Sequence, residues 1–169
     1  MLDPIVSKAE LAVEYPLLQE RAKRAGWEVT LNDESLLLEV RITHGKTGQL
    51  YILHGDLTSY KAMPPAWEFI DPDTGEEGTP AAYPTPPNPT PGGGASVFLK
   101  TNPPRERVIC LPCNRFAYGD YHGPHNEWRL SNWMQVAPFY LTLVEMVNRI
   151  NVDLQASPGP QGPRKGKAA

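Results

Sequence analysis

The chain has only two cysteines in 169 residues, at Cys110 and Cys113. Two thiols three positions apart cannot build the framework of bridges that staples a small secreted domain, so reduced thiols are expected. A long apolar run is also missing: no stretch of about 18 or more hydrophobic residues is present, so no membrane span is expected. Met1 to Glu10 carries Asp3 and Glu10 rather than a basic segment followed by an apolar one, which makes a soluble, cytoplasmic protein the expectation. An excess of positive charge is absent too. With a net charge of −3 the chain offers no basic field of the kind nucleic-acid binding needs, and nucleic acid is not an expected partner. No internal repeat is visible.

What is present is an ordinary globular composition with 40% hydrophobic residues, enough for one domain with its own core. The 19 prolines are in excess and fall mostly in two places. Between Asp71 and Ser96 the text turns acidic and then rich in Pro, Thr and Gly, which predicts a mobile insertion. Residues 155–169 predict a disordered tail. The remainder, residues 1–154, reads as a single domain.

Tyr15 to Gly26 predicts a short basic helix, with Pro16 in its first turn, Arg21, Lys23 and Arg24 toward its end and Gly26 just beyond. A preceding turn is expected over residues 7–13. The β-rich runs 27–31, 36–42 and 49–53, separated by turn residues, predict an antiparallel meander. A fourth strand over 66–70 follows Pro64-Pro65, which cannot donate to a ladder. Apolar residues at Leu141, Leu143, Val144, Val147, Ile150 and Leu154 predict a second helix within 137–154. The fold class is therefore α+β: N-terminal helix, four-stranded antiparallel meander, C-terminal helix.

The chemistry-bearing stretch is Val97-Phe-Leu-Lys-Thr-Asn102 through Val108-Ile-Cys110-Leu, taken with Tyr60-Lys-Ala-Met-Pro64-Pro65 upstream. Cysteine is suited to accepting an acyl group reversibly, because its thiolate attacks well and its thioester passes readily to an amine. One cysteine at an apolar strand end, an asparagine eight residues before it, a Tyr-x3-Pro-Pro segment, a later tryptophan and an apolar helix occur in the order seen in ubiquitin-conjugating enzymes. Over roughly Leu17 to Leu154 the chain resembles that family, and in particular its divergent prokaryotic members. It departs from the family in having Lys100-Thr101 where His-Pro precedes the asparagine, in the Pro-rich insertion, and in an expanded segment from Cys113 to Trp133.

The resemblance implies a ubiquitin-conjugating-type fold and a carrier enzyme. Cys110 would take a ubiquitin-like protein as a thioester from an activating enzyme and pass it to an amine of a protein substrate. Asn102 would stabilise the oxyanion, an effect commonly worth roughly 3 kcal/mol. The basic helix would face the activating enzyme, or form only a solvated face. No cofactor is implied.

Other readings of the same residues stay open. His122 and His125 lie in a loop-like segment and could move a proton near Cys110, since an unperturbed imidazole titrates near physiological pH. Cys110, Cys113, His122 and His125 together could instead hold a tetrahedral zinc ion, though with unusual spacing, and this would close Cys110 to acyl chemistry. Cys-x2-Cys also suggests a dithiol redox site, but the parallel strand-helix-strand units of that fold are missing upstream. A final alternative is the same fold used without chemistry, to bind a ubiquitin-like partner.

Overall fold

The computed structural model describes residues 4–88, 91, 96–101, 105–118 and 132–160. It is an α+β structure with an N-terminal helix, a four-stranded antiparallel sheet and a C-terminal helix. Helix α1 spans Pro4–Ala25, strands β1 to β4 span Glu28–Asn32, Leu37–Thr43, Leu50–Asp56 and Ala66–Ile70, and β5 (Phe98–Lys100) pairs with β6 (Arg107–Ile109) in a separate hairpin. A 3-10 turn at Arg115–Tyr118, a single helical turn α2 at Trp133–Val136 and helix α3 at Leu143–Ala156 complete the order.

The meander forms where the alternating runs predict it. Each strand pairs with its sequence neighbour in the order β1-β2-β3-β4, and the period of two sends Leu38, Val40, Ile42, Tyr51, Leu53, Trp67 and Phe69 to one face, where all are buried. Gly55 lies directly opposite Trp67 on that face. A Cβ at Gly55 would collide with the indole ring, so the close approach of Trp67 requires glycine there. The other face carries Glu39, Arg41 and His54, with Arg41 bonded to Glu39 and His54 to Glu39. These partly exposed pairs add little stability.

Helix α1 is longer than the sequence predicts: 22 residues, with Pro16 inside it rather than in its first turn. Ser7, Leu11, Glu14, Leu18 and Ala22 recur at helical spacing and are all buried. That continuous face, packed on β1 and α3, outweighs the hydrogen bond that Pro16 cannot donate. Glu14 is the polar exception on the face. Its carboxylate accepts from the Tyr60 hydroxyl at 2.9 Å, the Lys61 ammonium at 2.6 Å and the Leu143 backbone N–H at 2.8 Å.

Helix α3 starts at Leu143, six residues later than the predicted span. Thr142 caps it, accepting from the Glu145 backbone N–H while the Glu145 carboxylate accepts from the Thr142 N–H. This capping box fixes the start that apolar periodicity alone places too early.

The insertion and the tail also differ from expectation. Ala82 and Tyr83 are fully buried, and Tyr83 stands edge-on between Phe69 at 5.2 Å and Phe98 at 6.4 Å. Such an aromatic buries enough area to hold part of an otherwise polar segment in place. Beyond α3, Ser157 is fully buried and its carbonyl meets the buried His44 ring at 3.0 Å. Pro84 then bridges Pro160, and Thr85 donates to the Gly159 carbonyl at 2.7 Å. Residues 161–169 lie outside the described residues. Among the described residues, no helix is long and apolar enough to cross a membrane.

The Tyr83→Ala variant should lose about 3–5 kcal/mol in urea unfolding, the usual cost of emptying a buried aromatic site. A change within about 0.5 kcal/mol, the range for surface substitutions, would mean that Tyr83 does not anchor the insertion in solution.

Candidate functional site

Cys110 follows the last residue of β6 directly. The register Phe98↔Ile109, Leu99↔Val108, Lys100↔Arg107 places Val97 across from it, and the Cys110 backbone N–H donates to the Val97 carbonyl at 2.7 Å. The strand ends there because the chain turns: Leu111 N–H returns to the Ile109 carbonyl and Asn114 N–H to the Leu111 carbonyl.

The turn is held by a residue that the sequence does not mark as important. Asn114 is fully buried, and its side-chain oxygen accepts from Trp67 N–H at 2.8 Å and Phe116 N–H at 3.2 Å. Its amide nitrogen donates to the carbonyls of Trp67 at 3.0 Å and Ile109 at 2.8 Å. One side chain thus does the work of a ladder between β4 and β6, with no polar atom left over. Arg115 adds a second clasp: its backbone N–H donates to the Pro65 carbonyl at 2.8 Å and its Nε to the Pro64 carbonyl at 3.1 Å. The two prolines of the Tyr-x3-Pro-Pro segment donate nothing, yet their carbonyls hold the chain just past Cys110. Tyr118 closes the turn with a hydroxyl bond to the Pro112 carbonyl at 2.9 Å.

The two thiols occupy different surroundings. Cys110 is half-buried, whereas Cys113 is fully buried in the main core. Burial pushes the Cys110 thiol up to about 11 and the Cys113 thiol up to about 12. At neutral pH both are thiols, and only Cys110 can meet another molecule. The redox reading loses support, because both sheets are antiparallel and Cys113 leads into a 3-10 turn rather than opening a helix.

Asn102, His122 and His125 lie outside the described residues. The described part of the hairpin closes with Thr101 N–H donating to the Glu106 carbonyl at 3.1 Å, four register steps from the Val97–Cys110 pair. At roughly 3.3 Å per step this is about 13 Å along the strands. Among the described residues, no group of three or more His, Cys, Asp or Glu side chains is placed to hold a metal ion. Of the four residues of the zinc alternative, only Cys110 and Cys113 are described. In the basic segment of α1, Arg21 is turned inward, bonded to Asn148 at 2.9 Å and lying over the Trp27 ring, while Arg24 pairs with Glu20 on the exposed side.

Comparisons with protein-family models, curated proteins and solved structures find no match.

Three outcomes follow for this site. Asn114→Ala should cost about 3 kcal/mol in denaturant unfolding, since it strands buried donors and acceptors on Trp67 and Ile109, and it should speed amide exchange at Trp67. Alkylation by iodoacetamide should modify Cys110 alone in the native protein, its rate rising about tenfold per pH unit from about pH 7 to about pH 9. A plateau near neutral pH would contradict the raised thiol. Because both thiols ionise less readily folded than unfolded, their contribution to stability is intact below about 9 and is lost as pH climbs toward about 11 and about 12.

Proposed function

We propose that the protein is a carrier of the ubiquitin-conjugating type, holding a ubiquitin-like protein as a thioester on Cys110. The observation that carries this reading is the placement of Cys110: a half-buried thiol at the end of a strand, in a turn clasped to the Tyr-x3-Pro-Pro carbonyls, after an N-terminal helix and a four-stranded antiparallel sheet. The order of these elements is the order on which the resemblance rests.

In the first step, the Cys110 sulfur attacks the carbonyl of the thioester on the activating enzyme. That enzyme's thiol leaves, and the Cys110 proton passes to a base. In the second step a substrate amine attacks the Cys110 thioester, an amide forms, and the Cys110 thiol is regenerated. An apolar, half-buried setting disfavours the thiolate but not the neutral thiol or thioester. It therefore slows adventitious oxidation of the resting thiol and makes charging depend on a base delivered at the encounter. The oxyanion role of Asn102, and any proton transfer by His122 or His125, come from the resemblance and the residue chemistry alone.

The raised Cys110 thiol also favours a second reading, a non-catalytic module of the same fold that binds a ubiquitin-like partner, since a binder has no need of an activated nucleophile.

The deciding experiment mixes the protein with ATP, a source-matched activating enzyme and its ubiquitin-like protein, followed by non-reducing gels and intact mass. The wild type and Cys113→Ser should form a thiol-labile adduct. Cys110→Ser should give a thiol-resistant adduct or none, and Asn102→Ala should charge normally but discharge to amines more slowly. If wild type forms no adduct with verified active partners while Cys110→Ala keeps full affinity for the ubiquitin-like protein, the carrier reading fails and the binding reading stands.

A further inference from the structure

The four-stranded sheet has two outer strands, β1 and β4, and the phase of its ladder decides which of their backbone groups face away from it. His44 N–H donates to the Gln49 carbonyl and Leu57 N–H to the Leu36 carbonyl, one step beyond each end of the β2-β3 register. An antiparallel ladder alternates bonded and non-bonded pairs, so Leu38, Val40 and Ile42 bond to β3 while Leu37, Glu39 and Arg41 bond to β1. The β1 partners of these last three are Asn32, Thr30 and Glu28. Val29 and Leu31 therefore turn their N–H and C=O outward. The same alternation sends Trp67 and Phe69 outward on β4, and there the groups are taken. Asn114 bonds both backbone groups of Trp67, and Gly78 N–H donates to the Phe69 carbonyl at 3.4 Å.

The β1 edge is open by comparison. Among the described residues β1 pairs with β2 alone, and the one bond to its outward groups runs from the Tyr15 hydroxyl to the Val29 carbonyl, long at 3.4 Å. The strand has no proline, lysine or bulge to blunt it, and Glu28 is its only charge. Beside it a groove of about 360 Å³ separates β1 from α1, with Leu11, Tyr15, Leu31 and Leu36 as apolar lining and Lys8 and Asp33 as one charge of each sign. A strand added at this edge lies about 4.8 Å from β1. Its residue opposite Leu31 shares the face of Leu31, so that side chain enters the groove. Because the lining carries no net charge, its complement is an uncharged aliphatic side chain. Antiparallel pairing with β1 of a second copy would set that copy's α1 on the same face of the joined sheet, where the groove lies. A lone extended segment brings no helix.

We propose that the β1 edge binds a short, uncharged, extended peptide segment of a partner protein by strand addition, its backbone on Val29 and Leu31 and one aliphatic side chain in the groove against α1. The site uses none of the Cys110 chemistry, so it stands or falls separately from the carrier reading.

The test is an NMR titration of the isotope-labelled full chain with the peptide acetyl-Thr-Thr-Leu-Thr-Thr-amide, with the same peptide N-methylated at its leucine, and with glutamate in place of the leucine. The parent peptide should bind saturably with a Kd below about 1 mM, shifting the Val29 and Leu31 amides and slowing their exchange. The N-methyl peptide, which lacks the donor for the Leu31 carbonyl, and the glutamate peptide should each bind about tenfold more weakly or worse. Ala12 also lines the groove and is exposed, so Ala12→Glu should weaken the parent peptide about tenfold at an unchanged unfolding midpoint. Ala9→Glu, exposed on α1 outside the groove lining, should have no effect. The proposal is overturned by any of four results: no saturable binding of the parent peptide, equal binding of the N-methyl peptide, the same loss in Ala9→Glu as in Ala12→Glu, or a dimer in sedimentation whose Val29 and Leu31 amides are protected without peptide, which would give the edge to a second copy.

Discussion

The arrangement around Cys110 depends on one buried amide. Asn114 spans the gap between the four-stranded sheet and the β5-β6 hairpin, satisfying backbone groups of Trp67, Ile109 and Phe116 where no strand could be laid. A buried N–H or C=O left without a partner costs about 1–3 kcal/mol, so the break between the two sheets is tolerable only with such a side chain in it. Cys110 sits four residues earlier, on the chain that this amide pins. The irregular turn from Cys110 to Tyr118 is thus fixed by side-chain bonds in place of a ladder, with Cys110 itself half-buried.

Glu14 is the counterpart of Asn114 on the helical side. It draws together α1, the Tyr60-Lys61 segment and the first N–H of α3. A carboxylate taken out of water is stable only when paired and hydrogen-bonded. Lys61 supplies the charge, and the α3 N-terminus supplies an orphan donor and the positive end of its dipole. Tyr60 to Pro65 is accordingly gripped at both ends, by Glu14 at Tyr60 and Lys61 and by Arg115 at Pro64 and Pro65. That segment is the mechanical link between the helices and the cysteine turn.

The parts of the fold written in local patterns were legible in the sequence. The four strands follow from period-two alternation and turn residues, and the antiparallel order follows from their short connections. The sequence pattern makes α1 too short because Pro16 resembles a first-turn proline, whereas the buried face from Ser7 to Ala22 continues through it. The Thr142-x2-Glu145 capping box was present in the text and would have placed the start of α3. Tyr83 could not be read as core, because its neighbours are those of a loop and its partners Phe69 and Phe98 lie far off in sequence. Of the candidate site, Cys110 could be named from its apolar strand-end setting, but its burial depends on tertiary contacts. Asn114 could not be singled out at all: nothing local separates a buried bridging amide from a solvated turn asparagine.

The Pro-rich insertion is better regarded as a series of short spans than as one long loop. It is pinned at Glu77 and Gly78, where Ile70 bridges Glu77 and the Gly78 carbonyl accepts from Glu106 and Arg107, then at Tyr83, and then at Thr85 by the tail. From Glu77 to Thr85 the pins stand only a few residues apart, which fixes the length of chain between them: one residue added between Tyr83 and Thr85 would move the threonine off the Gly159 carbonyl while the tyrosine stayed in the core.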